Sequence, residues 1–326
     1  MLTDTFGRLH NYLRISLTDN CNLRCFYCVP EEDYEFTPAS RLMQTDEIIE
    51  IAKIFVAQGV NKIRLTGGEP IVREDAAAII TGLGALGVNL TMTSNGTRVH
   101  DFLPVLQASN INTLNISLDT LQADKFLLST RRDQFTTVKN NIDLLLANGF
   151  KVKINVELMK GFNDGEINDF KRWTKYAPIE VRFIEFMPFA GNKWTSNKVF
   201  SLDELLGGVA TQFNFAPVPG KPNDTAKHFS LPGHKGSFAV ISTMTAPFCN
   251  TCNRLRLTAD GKLKNCLFSD GETDLLTAFK NGEDIIPLIA GNVMSKAESL
   301  GGQFDKTLTT IESLGIYNRS MITIGG

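Results

Sequence analysis

No run of about 18 apolar residues occurs in the 326-residue sequence, so it offers no evident membrane-spanning helix. The opening ten residues, MLTDTFGRLH, lack the apolar stretch that a secretory signal needs. Neither sign of charge dominates: 33 Lys and Arg stand against 35 Asp and Glu, a formal net charge of −2. That balance excludes a globally basic binder of nucleic acid or membrane surfaces, though not a local basic pocket. Charged residues make up 21% of the chain and hydrophobic ones 43%, which excludes long disorder and supplies a sizeable core. Repeats and low-complexity segments are missing. The expectation is a soluble, cytoplasmic chain of two domains, residues 1–188 and 189–326.

The cysteines are informative. Cys21, Cys25 and Cys28 form one triplet, and Cys249, Cys252 and Cys266 form another roughly 220 residues later, with none left over. An even count suggests disulfides, but a chain without a secretion signal argues against them and for metal or redox chemistry. The C-x₃-C-x₂-C spacing of the first triplet wraps three thiolates around one face of a small cluster. Structural zinc closes its shell with four ligands, and the only histidine near is His10. Three thiolates suit a [4Fe–4S] cluster, which normally takes four, so one iron stays open to another ligand. The second triplet also lacks an obvious fourth protein ligand; a zinc ribbon completed by His228 or His234 is the alternative.

Strand-like and helix-like segments alternate through the first ~190 residues. Tyr12–Thr18, Lys62–Thr66, Asn89–Ser94, Thr113–Leu118, Lys151–Leu158 and Glu180–Phe186 read as strands, with helices such as Thr45–Gln58, Glu74–Leu86 and Phe135–Ala147 between them. This order means parallel strands with right-handed crossovers, and six units give an open, partial α/β barrel rather than a closed eight-fold one. Five strands keep one polar face: Arg14, Ser16 and Thr18; Lys62, Arg64 and Thr66; Thr91 and Thr93; Asn115, Ser117 and Asp119; Lys153, Asn155 and Glu157. Strands covered by helices should be apolar on both faces. The polar face therefore points into a lumen that holds a polar, anionic ligand; an amphipathic sheet with one solvated face is the alternative. After Pro188 the pattern becomes α+β. A hairpin of Ser237–Thr243 with Arg254–Thr258 is expected, then a turn at Asp260-Gly261 into Lys262–Cys266, and helices near Thr273–Lys280 and Asp284–Ser299.

The first triplet, in the loop after the first strand, resembles the C-x₃-C-x-aromatic-C hallmark of the radical S-adenosylmethionine superfamily. Thr66-Gly67-Gly68-Glu69-Pro70 resembles that superfamily's GGEP segment. The resemblance implies that the open iron chelates S-adenosylmethionine and that Tyr27, Gly68, Ser117 and Met187 contact it. Core packing is the plainer reading of Met187 taken alone. The two triplets, together with Cys252-Asn253-Arg254-Leu255-Arg256, resemble one family within it: the GTP 3′,8-cyclases of molybdenum cofactor biosynthesis. Phe6-Gly7-Arg8, Leu13-Arg14-Ile15-Ser16, the Arg182–Pro188 segment and Gly325-Gly326 extend the match over nearly the whole chain. Asn20, Val29 and Ile322 depart from the usual pattern, and none removes a ligand.

That family implies two [4Fe–4S] clusters, with Cys21, Cys25 and Cys28 catalytic, and GTP contacts at Arg14, Arg64, Thr93, Lys153, Arg254, Leu255 and Arg256. A 5′-deoxyadenosyl radical takes H3′ of GTP, giving (8S)-3′,8-cyclo-7,8-dihydroguanosine 5′-triphosphate, while the second cluster holds the guanine edge. The tail Gly325-Gly326 joins the active site. Partners implied are an electron donor such as flavodoxin or ferredoxin and a downstream cyclic pyranopterin monophosphate synthase, with a homodimer compatible. Two other readings are a radical S-adenosylmethionine peptide or protein maturase with an auxiliary cluster, and a zinc-dependent nucleic-acid-binding module. The basic lumen disfavours the first, and the −2 charge the second.

Overall fold

A computed structural model describes residues 1–29, 34–304 and 319–325. Six strands joined by five helical crossovers run in order: β1 (Tyr12–Ser16), α1 (Thr45–Ala57), β2 (Lys62–Thr66), α2 (Ala76–Gly84), β3 (Asn89–Ser94), α3 (Val99–Ala108), β4 (Thr113–Ser117), α4 (Ala123–Thr130), α5 (Phe135–Ala147), β5 (Lys151–Leu158), α6 (Ile167–Tyr176) and β6 (Glu180–Glu185). There follow α7 (Leu202–Ala210), β7 (Ala216–Val218), β8 (Lys227–Ser230), β9 (Ser237–Ile241), β10 (Arg254–Leu257), β11 (Lys262–Lys264), β12 (Thr273–Asp274), α8 (Leu275–Lys280), α9 (Ile286–Met294) and the single turn α10 (Met321–Ile324). Among the described residues no helix is long and apolar enough to cross a membrane.

Helix α1 shows how the outer layer forms. A capping box joins Gln44 and Glu47 at its start, and Ile48, Ile51, Ala52 and Phe55 fall on one buried face. That face packs on the apolar side of the sheet, where Leu13, Ile15, Ile63 and Leu65 are fully buried. Emptying the Phe55 site by Phe55→Ala would cost about 3–5 kcal/mol.

All twelve strands share one sheet, in the order β12-β11-β10-β1-β2-β3-β4-β5-β6-β9-β8-β7. Eight of them, β10 through β9 in that order, are mutually parallel. The six-unit open barrel is therefore present and wider than expected, because the C-terminal region adds one parallel strand to each edge. The boundary at residue 188 divides the chain in sequence, not in the sheet.

The expected hairpin between Ser237–Thr243 and Arg254–Thr258 does not form. β9 pairs parallel with β6 and antiparallel with β8, whereas β10 pairs parallel with β1 and antiparallel with β11. The two segments lie on opposite edges because each completes a parallel edge left open by the six units. The turn at Asp260-Gly261 does make a hairpin, of β10 with β11.

Candidate active site

Inside the barrel lies a cavity of about 290 Å³, and all six cysteines line it. Its wall includes Arg14, Ser117, Asn115, Asn155 and Glu157, so the polar strand faces do point inward. Strand register arranges the cations. Arg14 on β1 stands beside Arg256 on β10 and Arg64 on β2; one row below, Tyr12 stands between Arg254 and Lys62. Neighbouring strands are about 4.8 Å apart, so three guanidiniums are held abreast. Burial, and then the charge of Arg256, pushes Arg14 well below its usual range. Burial, and then Arg254, brings Arg256 down to about 10. The Tyr12 hydroxyl accepts from Arg64 Nε at 2.6 Å. Burial would raise that phenol, but Arg64, Arg14 and Lys62 outweigh it and bring it to about 7. Packed like charges of this kind call for an anion to sit among them.

The first triplet occupies the loop after β1. Cys28 and Val29 N–H groups donate to the Cys25 carbonyl at 3.0 and 2.8 Å, curling the loop inward. Gly68 and Glu69 N–H groups donate to Thr18 and Asn20 carbonyls at 2.7 and 2.8 Å, so the GGEP turn zips onto this loop. A Cβ at Gly68 would lie 2.4 Å from the Asp19 and Asn20 carbonyls, which forbids any side chain there. The surroundings are acidic. Tyr27 donates to Asp119 at 2.6 Å, and the other Asp119 oxygen accepts the Glu157 N–H at 2.9 Å. Burial raises Asp119 to about 6 and Glu69 to about 7. Cys21 rises to about 11, by burial first and then the Glu69 charge; Cys25 and Cys28 also rise.

The second triplet sits between a short turn, Cys249–Thr251, and the end of β11. Here the neighbours are cations. Arg8, held by Asp4 at 2.5 Å, donates to the carbonyls of Cys249, Glu298 and Ala297 at 2.7–2.9 Å. Burial would raise the Cys252 thiol, but Arg254 and Lys296 prevail and bring it to about 6.

Both triplets fit iron–sulfur clusters. All six cysteines are free and half-buried, and they face one enclosed space. Among the described residues no three His, Cys, Asp or Glu side chains converge on a point for a single ion. A four-iron cluster bonds each thiolate to a different iron, so its ligands need not converge.

Tyr27, Gly68, Ser117 and Met187 line the cavity, with Thr93, Arg14, Arg64, Arg254 and Arg256; Tyr27 packs with Cys25 and Cys28, whereas Met187 packs in the cluster that Cys249 and Cys266 join. Thr93 Oγ1 accepts from Arg64 at 3.1 Å. Lys153 is outside the lining; its Nζ pairs with Glu180 at 3.1 Å. Leu255 is fully buried with its side chain in the core, so only its backbone is available to a ligand. The tail enters the barrel: Arg256 donates to the Gly325 carbonyl at 2.7 Å, and a Cβ at Gly325 would lie 2.7 Å from Thr66 Oγ1. Gly326 lies outside the described residues. Sequence reasoning missed Arg182, which lines the cavity and shares the inward face of β6, a signal its alternation does carry. It also assigned no role to Arg8, noted only as part of Phe6-Gly7-Arg8, or to Lys296.

Comparison with known proteins gives two family models, Radical SAM superfamily over residues 15–174 and Molybdenum Cofactor Synthesis C over residues 179–300. The GTP 3′,8-cyclase of Listeria monocytogenes is 39% identical over 306 residues, spanning 92% of each chain. This chain belongs to the GTP 3′,8-cyclase family. The mitochondrial GTP 3′,8-cyclase of Arabidopsis thaliana is 45% identical over all of this chain and 84% of its own. Molybdenum cofactor biosynthesis protein 1 of Drosophila melanogaster is 46% identical over 302 residues, but the chain spans only 54% of it, about half. Among solved structures, Streptococcus suis SuiB bound to S-adenosylmethionine matches with a TM-score of 0.61, covering 88% of this chain and 68% of that one at 17% identity, a likeness of fold. As a radical S-adenosylmethionine protein, this GTP 3′,8-cyclase family member carries a [4Fe–4S] cluster and binds S-adenosylmethionine.

Proposed function

We propose that the chain converts GTP to (8S)-3′,8-cyclo-7,8-dihydroguanosine 5′-triphosphate, the first step of molybdenum cofactor biosynthesis, using a second [4Fe–4S] cluster on Cys249, Cys252 and Cys266. One observation carries this reading: Arg256, Arg14 and Arg64 stand abreast in the same cavity that both cysteine triplets line. When bound, the first cluster and S-adenosylmethionine supply the radical that removes H3′ of GTP.

The chain's own residues bind and orient. Guanidinium forks suit phosphate oxygens, so the arginine row takes the nucleotide's anionic end. Thr93 fixes the Arg64 fork, and Tyr12 braces its other side. Lys153 joins the substrate only by leaving Glu180. Tyr27, Gly68, Ser117 and Met187, all in the cavity wall, are the S-adenosylmethionine contacts of this reading. The tail lays Gly325 against Arg256 and Thr66, closing the space above the arginines and keeping other hydrogen donors away. No general acid or base is needed for hydrogen-atom removal. An external one-electron donor, such as a flavodoxin or ferredoxin, completes the reading. So does a downstream cyclic pyranopterin monophosphate synthase, in the cytoplasm.

Anaerobic incubation with GTP, S-adenosylmethionine and a chemical reductant tests it. The expected result is the cyclic triphosphate, with one S-adenosylmethionine cleaved per product. Cleavage without GTP consumption, or a protein that holds zinc and no iron, refutes it.

A further inference from the structure

Directly behind the second triplet lies a buried lysine. Lys296 follows the end of α9, and its side chain is 4% exposed. Its Nζ donates to the Arg254 carbonyl at 3.2 Å and to the Asn265 carbonyl. Those two carbonyls frame the site, for Arg254 stands two residues after Cys252 and Asn265 immediately precedes Cys266. Among the described residues the lysines paired with carboxylates do not include Lys296. Arg8, by contrast, has its charge cancelled by Asp4. Burial holds Lys296 below the usual lysine range, Arg254 and Arg8 add to that, and the nearby Cys252 and Cys266 thiolates oppose it.

A buried ammonium held away from any carboxylate is expensive unless another anion lies close. A cluster with three thiolate ligands is such an anion, and every electron added makes it more negative. Cluster potentials respond to net charge and to hydrogen bonds around the sulfurs. The first triplet has carboxyls rather than cations beside it: Tyr27, inside the triplet, donates to Asp119 at 2.6 Å, and Asp119 and Glu157 line the cavity with it.

We infer that Lys296 is the counter-charge of the second cluster, a positioning residue that holds its reduction potential above that of the first. The inference rests on the proposed second cluster. The step is a bare electron transfer: a low-potential one-electron reductant loses one electron, the second cluster gains it, and no bond or proton moves.

The test is a reductive titration of the anaerobically loaded full chain, with the electron-spin signal of each cluster followed separately. The signal that disappears in Cys252→Ala identifies the second cluster. In the unaltered chain that signal should appear first as the potential falls. In Lys296→Met it should shift lower, by about the 59 mV that corresponds to a tenfold change in the reduced-to-oxidised ratio for one electron. The first cluster should stay in place, and Lys296→Arg should restore the shift. If Lys296→Met loses iron, Lys296→Gln, which keeps a donor and removes only the charge, gives the same reading. Two clusters with an unmoved second wave in Lys296→Gln overturn the role of Lys296 alone. An unaltered chain with only about four irons overturns the second cluster itself and this inference with it.

Discussion

The two cysteine sites face the same cavity from unlike surroundings, buried carboxyls at the first and buried cations at the second. Around the first lie Glu69, Asp119 and Glu157; around the second lie Arg254, Arg256, Lys296 and the Asp4-bound Arg8. Burial first, and then neighbouring carboxyls, pushes the first triplet's thiols up, whereas Arg254 and Lys296 outweigh burial and draw Cys252 down to about 6. The difference matches two ligands of opposite character. S-adenosylmethionine brings a sulfonium and an ammonium, and a nucleoside triphosphate brings several negative charges. On the proposed function, the cationic part of the wall is the part that suits the triphosphate.

The largest effect that breaks this comparison is removal of the second site. Cys252→Ala should lose about half of roughly eight irons and all cyclic product, while S-adenosylmethionine cleavage stays detectable; iron analysis and chromatography measure both. Removing Gly325-Gly326 comes next. Product should fall steeply while both clusters and GTP binding survive, because what is lost is the contact of Gly325 with Arg256 rather than the arginine row. An unchanged product yield per cleaved S-adenosylmethionine would make the tail merely a loose end.

A smaller effect separates the row from its margins. Arg14→Met should weaken GTP binding about 10- to 100-fold, the loss of one or two charge-assisted hydrogen bonds. Lys153→Ala should weaken it only severalfold, since that ammonium is already engaged by Glu180. Equilibrium binding to the loaded protein distinguishes the two, and a larger effect at Lys153 would mean that the Glu180 pair opens for substrate.

The last variant should leave chemistry unchanged and sharpen the contrast between buried lysines. Lys171 is fully buried on α6, its Nζ has no hydrogen-bond partner among the described residues, and it lies 4.8 Å from the Phe213 ring. Burial, and then Arg172, lowers it to about 7. The folded chain therefore binds fewer protons than the unfolded one between pH 7 and about 10.5. Stability rises with pH across that window, and the full cost of the buried charge is felt below pH 7. Lys171→Met should stabilise by roughly 2–4 kcal/mol at pH 6, with the gain shrinking as pH rises toward 10. Denaturant melts at several pH values read this directly, and a pH-independent gain would point to packing alone.

Much of this was legible in the sequence. The alternation of Leu13 and Ile15 with Arg14 and Ser16 carries both the strand and the direction of its polar face. The grouping of cysteines exposes the chemistry. Pairing partners were not legible. Ser237–Ile241 and Arg254–Leu257 look the same locally whether they join each other or two strands far away, because register between parallel strands leaves no short-range pattern. Lys296 was hidden for a related reason, since its carbonyl partners stand 31 and 42 residues distant, and so were the carbonyls that Arg8 reaches, 241–290 residues away.

β1 and β10 are neighbours in space but about 240 residues apart in the chain. At a synthesis rate of about 5–20 residues per second, the outer edge of β1 waits roughly 12–48 s for its mate to leave the ribosome. Throughout that interval the half-built barrel presents an unpaired strand edge, a hazard for a nascent polypeptide. The first cysteine site also exists before the second has been translated. Cofactor delivery to the two is thereby open to separation in time.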